Sequence, residues 1–216
     1  MSSRELRFRL PGRWFSVDLS APEATRTSIR AIARDAVGPR DDHAAERARV
    51  RQQLTAAVDA GHKGEPRALM FSTEVAPGAP LPASLLVFEP AGLRMSPAIG
   101  DSAQAVLAVM AESLAQIDPA AHATMVEVSG PGVPVLRTHR LQALAEDGDL
   151  EGVTQLIADY WVPVPDSKQM LLVRFSTPLG ELENIMLAFF DELLAVSYFS
   201  QQRRESLRDT LLAERG

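Results

Sequence analysis

The feature that most constrains the fold is a run of four strand-like segments between residues 124 and 176. Turn residues bound each of them, and apolar positions alternate at residues 160–162 and 171–175, as they do in strands that bury one face. The segments cover residues 124–129, 133–138, 153–162 and 169–176, and turn sequences such as Gly130-Pro131-Gly132 separate them. Strands that follow one another without a helical pattern between them are typical of an antiparallel meander. The sequence therefore predicts this meander rather than a parallel sheet of alternating strands and helices.

The remaining patterns predict a single α+β domain. Further strands are expected at residues 5–10, 14–19, 67–75 and 84–89, with a Pro-rich loop at 76–82 between the last two. Helices are expected from Ser20, from about Asp41, over residues 101–116, and from after Pro178 past Phe199. No linker is long or polar enough to separate two domains. We therefore predict one sandwich over residues 1–200, with an antiparallel sheet flanked by helices, and a polar helical extension at 201–216.

Composition excludes several classes of protein. The chain has 216 residues, of which 46% are hydrophobic and 23% charged, as in ordinary globular domains. It has no cysteine, which excludes a disulfide framework, a thiolate zinc site and a cysteine nucleophile. The net charge of −6 argues against nucleic-acid binding as the main function. No apolar run approaches the ~20 residues that cross a bilayer, and no signal region follows the N-terminus, so we expect a cytoplasmic protein without membrane insertion.

The residues that could carry catalysis or bind a metal do not form a recognisable motif. The histidines are His43, His62, His122 and His139, and none has the H-x-x-x-H spacing of a helical metal site. The acidic run at residues 146–151 lacks the alternating ligand set of a calcium loop, and a solvated hairpin tip explains it better. The sequence contains no nucleophile-elbow, phosphate-loop or dinucleotide-binding motif. We therefore expect no metal and no cofactor, assign no catalytic residue, and favour a non-enzymatic function.

The last predicted helix contains more apolar residues than one buried stripe can use. A first set has i, i+3, i+4 spacing and is expected to face the sheet: Leu182, Ile185, Met186, Phe189, Leu193 and Val196. A second set is expected to lie off that face: Leu187, Phe190, Leu194 and Tyr198. Either the domain itself covers the second set, or a protein partner or a second copy of the chain does. We predict the second arrangement, in which these four residues form an interaction surface.

Three short motifs near the C-terminus carry a resemblance to other proteins. They are Y-W-V-P-V-P-D-S at 160–167, L-L-V-R-F-S-T-P at 171–178 and F-D-E-L at 190–193. The pattern resembles a group of uncharacterised actinobacterial proteins and, more distantly, the mycobacterial LpqN-type lipoproteins with a PsbP-like α/β/α sandwich. The resemblance implies an antiparallel sheet flanked by helices and implies no functional residue. LpqN-type proteins carry a signal and a lipidated cysteine, and this chain has no cysteine.

These observations favour a protein-interaction module, an accessory or chaperone-like protein that self-associates through its last helix. The alternative is a small-molecule-binding domain or a hydrolase, with a site between the sheet and the helices. That alternative requires charged side chains to converge in one concave pocket. The candidates for such a pocket are Glu74, Glu89, Arg94, Arg137 and His139. An interaction module should instead expose an apolar patch.

Overall fold

The fold is built on a central antiparallel sheet. The computed structural model describes residues 4–40, 43–62, 66–90, 102–143 and 152–201. The strands are β1 (Arg4–Arg7), β2 (Arg13–Ser16), β3 (Ala68–Ala76), β4 (Ala79–Phe88), β5 (Val126–Ser129), β6 (Pro134–Ala143), β7 (Thr154–Pro163), β8 (Met170–Thr177) and β9 (Tyr198–Gln201). The helices are α1 (Pro22–Val37), α2 (Ala44–His62), α3 (Ala103–Ile117), α4 (Pro119–Ala123) and α5 (Glu183–Ala195).

The large sheet has the strand order β2-β3-β4-β8-β7-β6-β5, and every neighbouring pair is antiparallel. Strands β5 to β8 follow one another across it, so the predicted meander is confirmed. The α+β class, with an antiparallel sheet and packed helices, is confirmed as well. β1 and β9 form a separate two-stranded sheet.

The two faces of the large sheet carry different helices. Because successive side chains in a strand point to opposite faces, Tyr160 and Val173, which are paired across β7 and β8, point the same way. They share one hydrophobic cluster with α5, which confirms that the C-terminal helix covers this side. On the opposite face, α1 and α2 pack over β3 and β4. There α3 packs against Leu136 and Trp161 of β6 and β7.

The predicted Pro-rich loop at residues 76–82 is wrong. β3 continues to Ala76 and β4 begins at Ala79, so only the turn at Pro77 and Gly78 separates them. Gly78 has a φ of +76°, which glycine adopts without strain. Two prolines lie inside β4, but β4 pairs with β8 only from Ser84 onward. The proline-containing part of β4 therefore has a hydrogen-bonded neighbour on one side only, where proline is tolerated.

The prediction that the last helix runs past Phe199 is also wrong. α5 ends at Ala195, and the Ser197 hydroxyl closes its last turn by donating to the Leu193 carbonyl at 2.7 Å. The next residues form β9, in which Phe199 lies opposite Leu6 of β1. Aromatic residues favour strands when a strand edge is available, and β1 supplies that edge. The predicted extension starts at Gln201, which is the last residue of β9, and residues 202–216 lie outside the described residues.

Candidate interaction surface on the last helix

α5 is held close to the sheet by the connection that follows β8. The Thr177 hydroxyl donates to the Pro82 carbonyl at 2.8 Å and accepts from the Leu179 amide. The chain then passes Gly180, where a Cβ would lie 2.6 Å from the Thr154 carbonyl oxygen. Only glycine allows this approach to the start of β7. The helix therefore begins against the sheet rather than at the end of a free loop.

The sheet-facing side of α5 contains residues that were predicted from sequence to lie off that side. Leu187, Phe190 and Leu194 are buried, and Phe190 and Leu194 have no exposed surface. The Phe190 ring stacks on Phe175 of β8 with centroids 4.8 Å apart. The expectation that these three side chains lie off the sheet is wrong, because the domain itself covers them. The fourth residue of that set, Tyr198, lies in β9 and is 45% exposed.

The opposite side of α5 is an exposed apolar surface that we call the outer stripe: Leu182, Ile185, Phe189 and Val196. Ile185 is 66% exposed, Leu182 and Val196 are nearly half exposed, and Phe189 is half-buried. The sequence predicted that these side chains face the sheet, which is wrong for the three exposed ones. The other two members of that predicted stripe are buried as expected: Met186 and Leu193. The helix is thus apolar on two sides, and the domain covers one.

Two acids of α5 bind side chains of β6 and β7, and these contacts explain why the side of α5 that faces the sheet is the reverse of the prediction. Asp191 accepts hydrogen bonds from the Tyr160 hydroxyl at 2.7 Å and from Arg137 Nη1 at 2.5 Å. Burial, with the Asp191 charge adding to it, raises the pKa of Tyr160, so its hydroxyl stays a donor. Glu183 contacts His139 Nε2 at 2.7 Å. Bringing both acids against β6 fixes the rotation of the helix about its own axis.

The contacts of Glu183 and Asp191 also determine which apolar side of α5 is buried. Glu183, Leu187 and Asp191 are spaced four residues apart, so they lie on one side of the helix. Leu194, three residues after Asp191, continues that side. When Glu183 and Asp191 bind their partners on the sheet, Leu187 and Leu194 are therefore buried. The sequence signal was present in the acids of α5, but their partners on β6 and β7 are known only once the strand register is known.

The outer stripe continues into an open groove of about 490 Å³ between α5 and the connection from β1 to β2. The groove is lined by Arg9, Leu10, Pro11, Phe189, Glu192, Leu193 and Val196. The Arg9 guanidinium lies 5.1 Å from the centre of the Tyr198 ring, which holds one wall in place. Stripe and groove together form a continuous apolar surface along the helix.

The charges beside the outer stripe are mostly negative. Residues 180–196 contain four acids and no basic residue. Glu183 and Asp191 are paired with β6, whereas Glu181 and Glu192 are exposed and form no ion pair with any described residue. These two acids lie four residues before and seven residues after Ile185, which puts them on its side of the helix. Arg9 is the basic residue among those that line the groove.

The pocket required by the alternative function does not form from its candidate residues. Arg137 and His139 lie two residues apart on β6, and both are tied to acids of α5. Glu89 pairs with Arg67 at 2.6 Å. Glu74 lies on β3 opposite Arg13 of β2. Arg94 lies outside the described residues.

A second buried charge cluster lies on the opposite face of the sheet. Asp159 of β7 accepts from Arg174 at 2.6 and 2.9 Å and from Arg140 at 3.2 Å. Burial acts to lower the pKa of Arg174, but its hydrogen bond to Asp159 and that charge outweigh burial and raise it. Two guanidiniums share one carboxylate, so the cluster has a net charge of +1, and it links β6, β7 and β8.

Metal ligands do not assemble in the described part of the chain, where no three His, Asp or Glu residues are placed to hold an ion. The acidic run at 146–151 falls outside it. Within the same ranges, no helix is both long and apolar enough to span a bilayer.

No protein-family model, curated protein or solved structure matches the chain. The resemblance to actinobacterial and LpqN-type proteins stays a prediction.

Proposed function

We propose that the protein is a non-enzymatic interaction module that binds an apolar, basic helix of a protein partner on the outer stripe and groove. The observation that carries this proposal is Ile185, a large apolar side chain left 66% exposed in the first turn of a helix whose acids bind side chains of the sheet. Exposed apolar surface on a fixed element is typical of interaction sites. Binding there costs little ordering of the protein itself.

The dimensions of the surface suit the helix-in-groove mode of recognition. From Leu182 to Val196 the helix axis rises about 21 Å, which is roughly four turns of a partner helix. Full burial of a large aliphatic side chain contributes ~1.5–3 kcal/mol, so covering a half-exposed one contributes about half of that. Three such side chains contribute about 2–4 kcal/mol, and partner side chains buried in the groove must supply the rest of the roughly 5.5–7 kcal/mol that a Kd of 10–100 µM requires.

The charges favour a basic partner over a second copy of α5. In a symmetric pair of α5 helices, Glu181 and Glu192 of both copies would lie near one another, and like charges across an interface are unfavourable. A partner with lysine or arginine beside its apolar row would compensate them. Self-association through α5, which the sequence predicted, is therefore the less favoured form of the interaction. Covering an apolar basic segment of another protein is consistent with an accessory or chaperone-like role.

A labelled peptide tests this function without knowledge of the natural partner. The probe has about fifteen residues, with leucines at i, i+3, i+4 spacing and lysines elsewhere, and a matched peptide has glutamates in place of the lysines. Anisotropy titrations would use the full chain and a chain ending at Gln201, which keeps every described helix and strand. We expect at least one form to bind the Leu/Lys peptide with a Kd of about 10–100 µM, and the Leu/Glu peptide at least about tenfold more weakly.

Two substitutions of equal chemistry locate the binding surface. Ile185→Lys should weaken binding of the Leu/Lys peptide about tenfold, because the new lysine on the outer stripe repels the lysines of the peptide. Ile117→Lys is the control, since Ile117 is 82% exposed at the end of α3, on the opposite face of the sheet. The proposal is contradicted if neither form of the chain binds the Leu/Lys peptide, or if the two variants bind it equally.

A further inference from the structure

Strand β8 lies between the two groups of helices on the face opposite α5. In the sheet it separates β4, which α1 and α2 cover, from β7, which α3 covers. Leu172 packs with the first group and Met170 with the second. Arg174 is the next side chain on the same face, and 29% of it is exposed. The helices therefore leave this arginine accessible to solvent.

Asp159 binds one edge of the Arg174 guanidinium and leaves the other. It accepts from Nε and Nη2, which form that edge. The edge formed by Nη1 and Nη2 can bind a second oxyanion in the same bidentate way. Among the described residues, Nη1 has no acceptor. Phe88 holds the group from the side, with the centre of its ring 5.8 Å from Arg174 Cζ.

Arg140 brings a second positive charge to the same place. Arg140 Nη1 and Arg174 Nη2 both donate to Oδ2 of Asp159, at 3.2 and 2.9 Å. The two nitrogens are therefore no more than about 6 Å apart, which two oxygens of one phosphate or carboxylate group can bridge with hydrogen bonds of about 2.8 Å. Arg140 does not bind Asp159 through Nε or Nη2, and 49% of its side chain is exposed.

The charges on this part of the sheet favour an anion. Among the described side chains that β4, β6, β7 and β8 turn to this face, only Arg140, Asp159 and Arg174 are charged. The one charged residue of α3 is Glu112, which is exposed on the side away from the sheet. Two positive charges are thus balanced by one negative charge.

A pair of serine hydroxyls adds a neutral donor beside Arg174. Ser176 is the next side chain on the same face of β8, and its hydroxyl is hydrogen-bonded to that of Ser84 at 2.6 Å. Two hydroxyls that share one hydrogen bond have a second hydrogen left to donate.

We propose that Arg140 and Arg174 form a binding site for an oxyanion, the phosphate or carboxylate group of a small molecule. The two guanidiniums bind its oxygens, Asp159 keeps them in position, and the serine pair donates a further hydrogen bond. The site goes beyond the proposed interaction with a partner helix, because it lies on the other face of the sheet from the outer stripe.

A 1H–15N NMR titration of the full chain tests the site, with inorganic phosphate and acetate as separate probes. We expect the amide signals of Arg140, Asp159 and Arg174 to shift until the site is saturated, with a Kd of about 1–10 mM for the better probe. Tighter binding of phosphate assigns a phosphate group, and tighter binding of acetate a carboxylate. Chloride at the same ionic strength is the control for screening.

Two substitutions of equal chemistry locate the binding. Arg140→Gln should weaken binding of the better probe at least about fivefold, because it removes one of the two guanidiniums. Arg26→Gln is the matched control, since Arg26 is an exposed arginine of α1 that pairs with Glu23. Circular dichroism checks that both variants are folded. The proposal is overturned if neither probe gives saturable shifts up to about 50 mM, if chloride shifts the same signals equally, or if the two variants bind with the same Kd.

Discussion

Replacing Phe190 with alanine should lower the free energy of unfolding by about 3–5 kcal/mol, the usual cost of truncating a buried aromatic side chain. Phe190 has no exposed surface and stacks on Phe175, whose ring in turn meets Tyr160 edge-on at 5.7 Å. Truncation would leave a cavity at the centre of the contact between α5 and the sheet. Urea denaturation followed by circular dichroism measures the change.

Ile185→Ala is the matched control, because Ile185 lies on the same helix but on the outer stripe. It should change the free energy of unfolding by about 0.5 kcal/mol or less, as most surface substitutions do. The two results together report which side of α5 is buried. A large loss of stability for Ile185→Ala with a small one for Phe190→Ala would show that the helix sides are the reverse of those described.

Replacing Asp191 with alanine should lower the free energy of unfolding by about 2–3 kcal/mol. The substitution leaves the buried Tyr160 hydroxyl and the largely buried Arg137 guanidinium without their acceptor. Breaking a fully buried ion pair costs about 3–5 kcal/mol, and the partial exposure of Asp191 reduces that cost. Glu192→Ala is the control, since this neighbouring acid is exposed and should contribute less than about 0.5 kcal/mol.

A double-mutant cycle separates the hydrogen bond to Tyr160 from the rest of this effect. Tyr160→Phe alone should cost about 1–2 kcal/mol, because it removes the hydroxyl and leaves one Asp191 oxygen unpaired. In the Asp191→Ala background the same change should cost much less, since the hydroxyl has already lost its acceptor. Equal costs in the two backgrounds would mean that the hydrogen bond does not stabilise the fold.

The meander could be predicted from sequence because turn residues bound each of its strands and no helical pattern separates them. Val173 and Phe175 share a face with Tyr160, and slipping the register by one residue would turn them away from α5. β9 could not be predicted, because Tyr198 and Phe199 continue an apolar helical run and also suit a strand. The edge of β1, nearly two hundred residues earlier in the chain, decides between them.

The sequence predicted the wrong side of α5 to face the sheet, and the reason is again that the deciding contacts are distant in sequence. Both apolar sets follow helical spacing, so periodicity detects two stripes without showing which one meets the sheet. The choice depends on Asp191 and Glu183, whose partners lie on strands far away in sequence. The excess of apolar residues was nevertheless a correct signal that one side of this helix would remain uncovered by the sheet. The exposed side is the outer stripe.

The central claim, that the outer stripe binds an apolar basic helix, is tested most directly by the isoleucine methyl groups. The chain has six isoleucines, Ile29, Ile32, Ile99, Ile117, Ile157 and Ile185. In a 13C-methyl NMR titration of the chain ending at Gln201 with the Leu/Lys peptide, the Ile185 signal should shift progressively. The signals of Ile29, Ile32 and Ile157, which are buried, and of Ile117 should stay in place. A fixed Ile185 signal at saturating peptide, or equal shifts at Ile117 and Ile185, would contradict the claim.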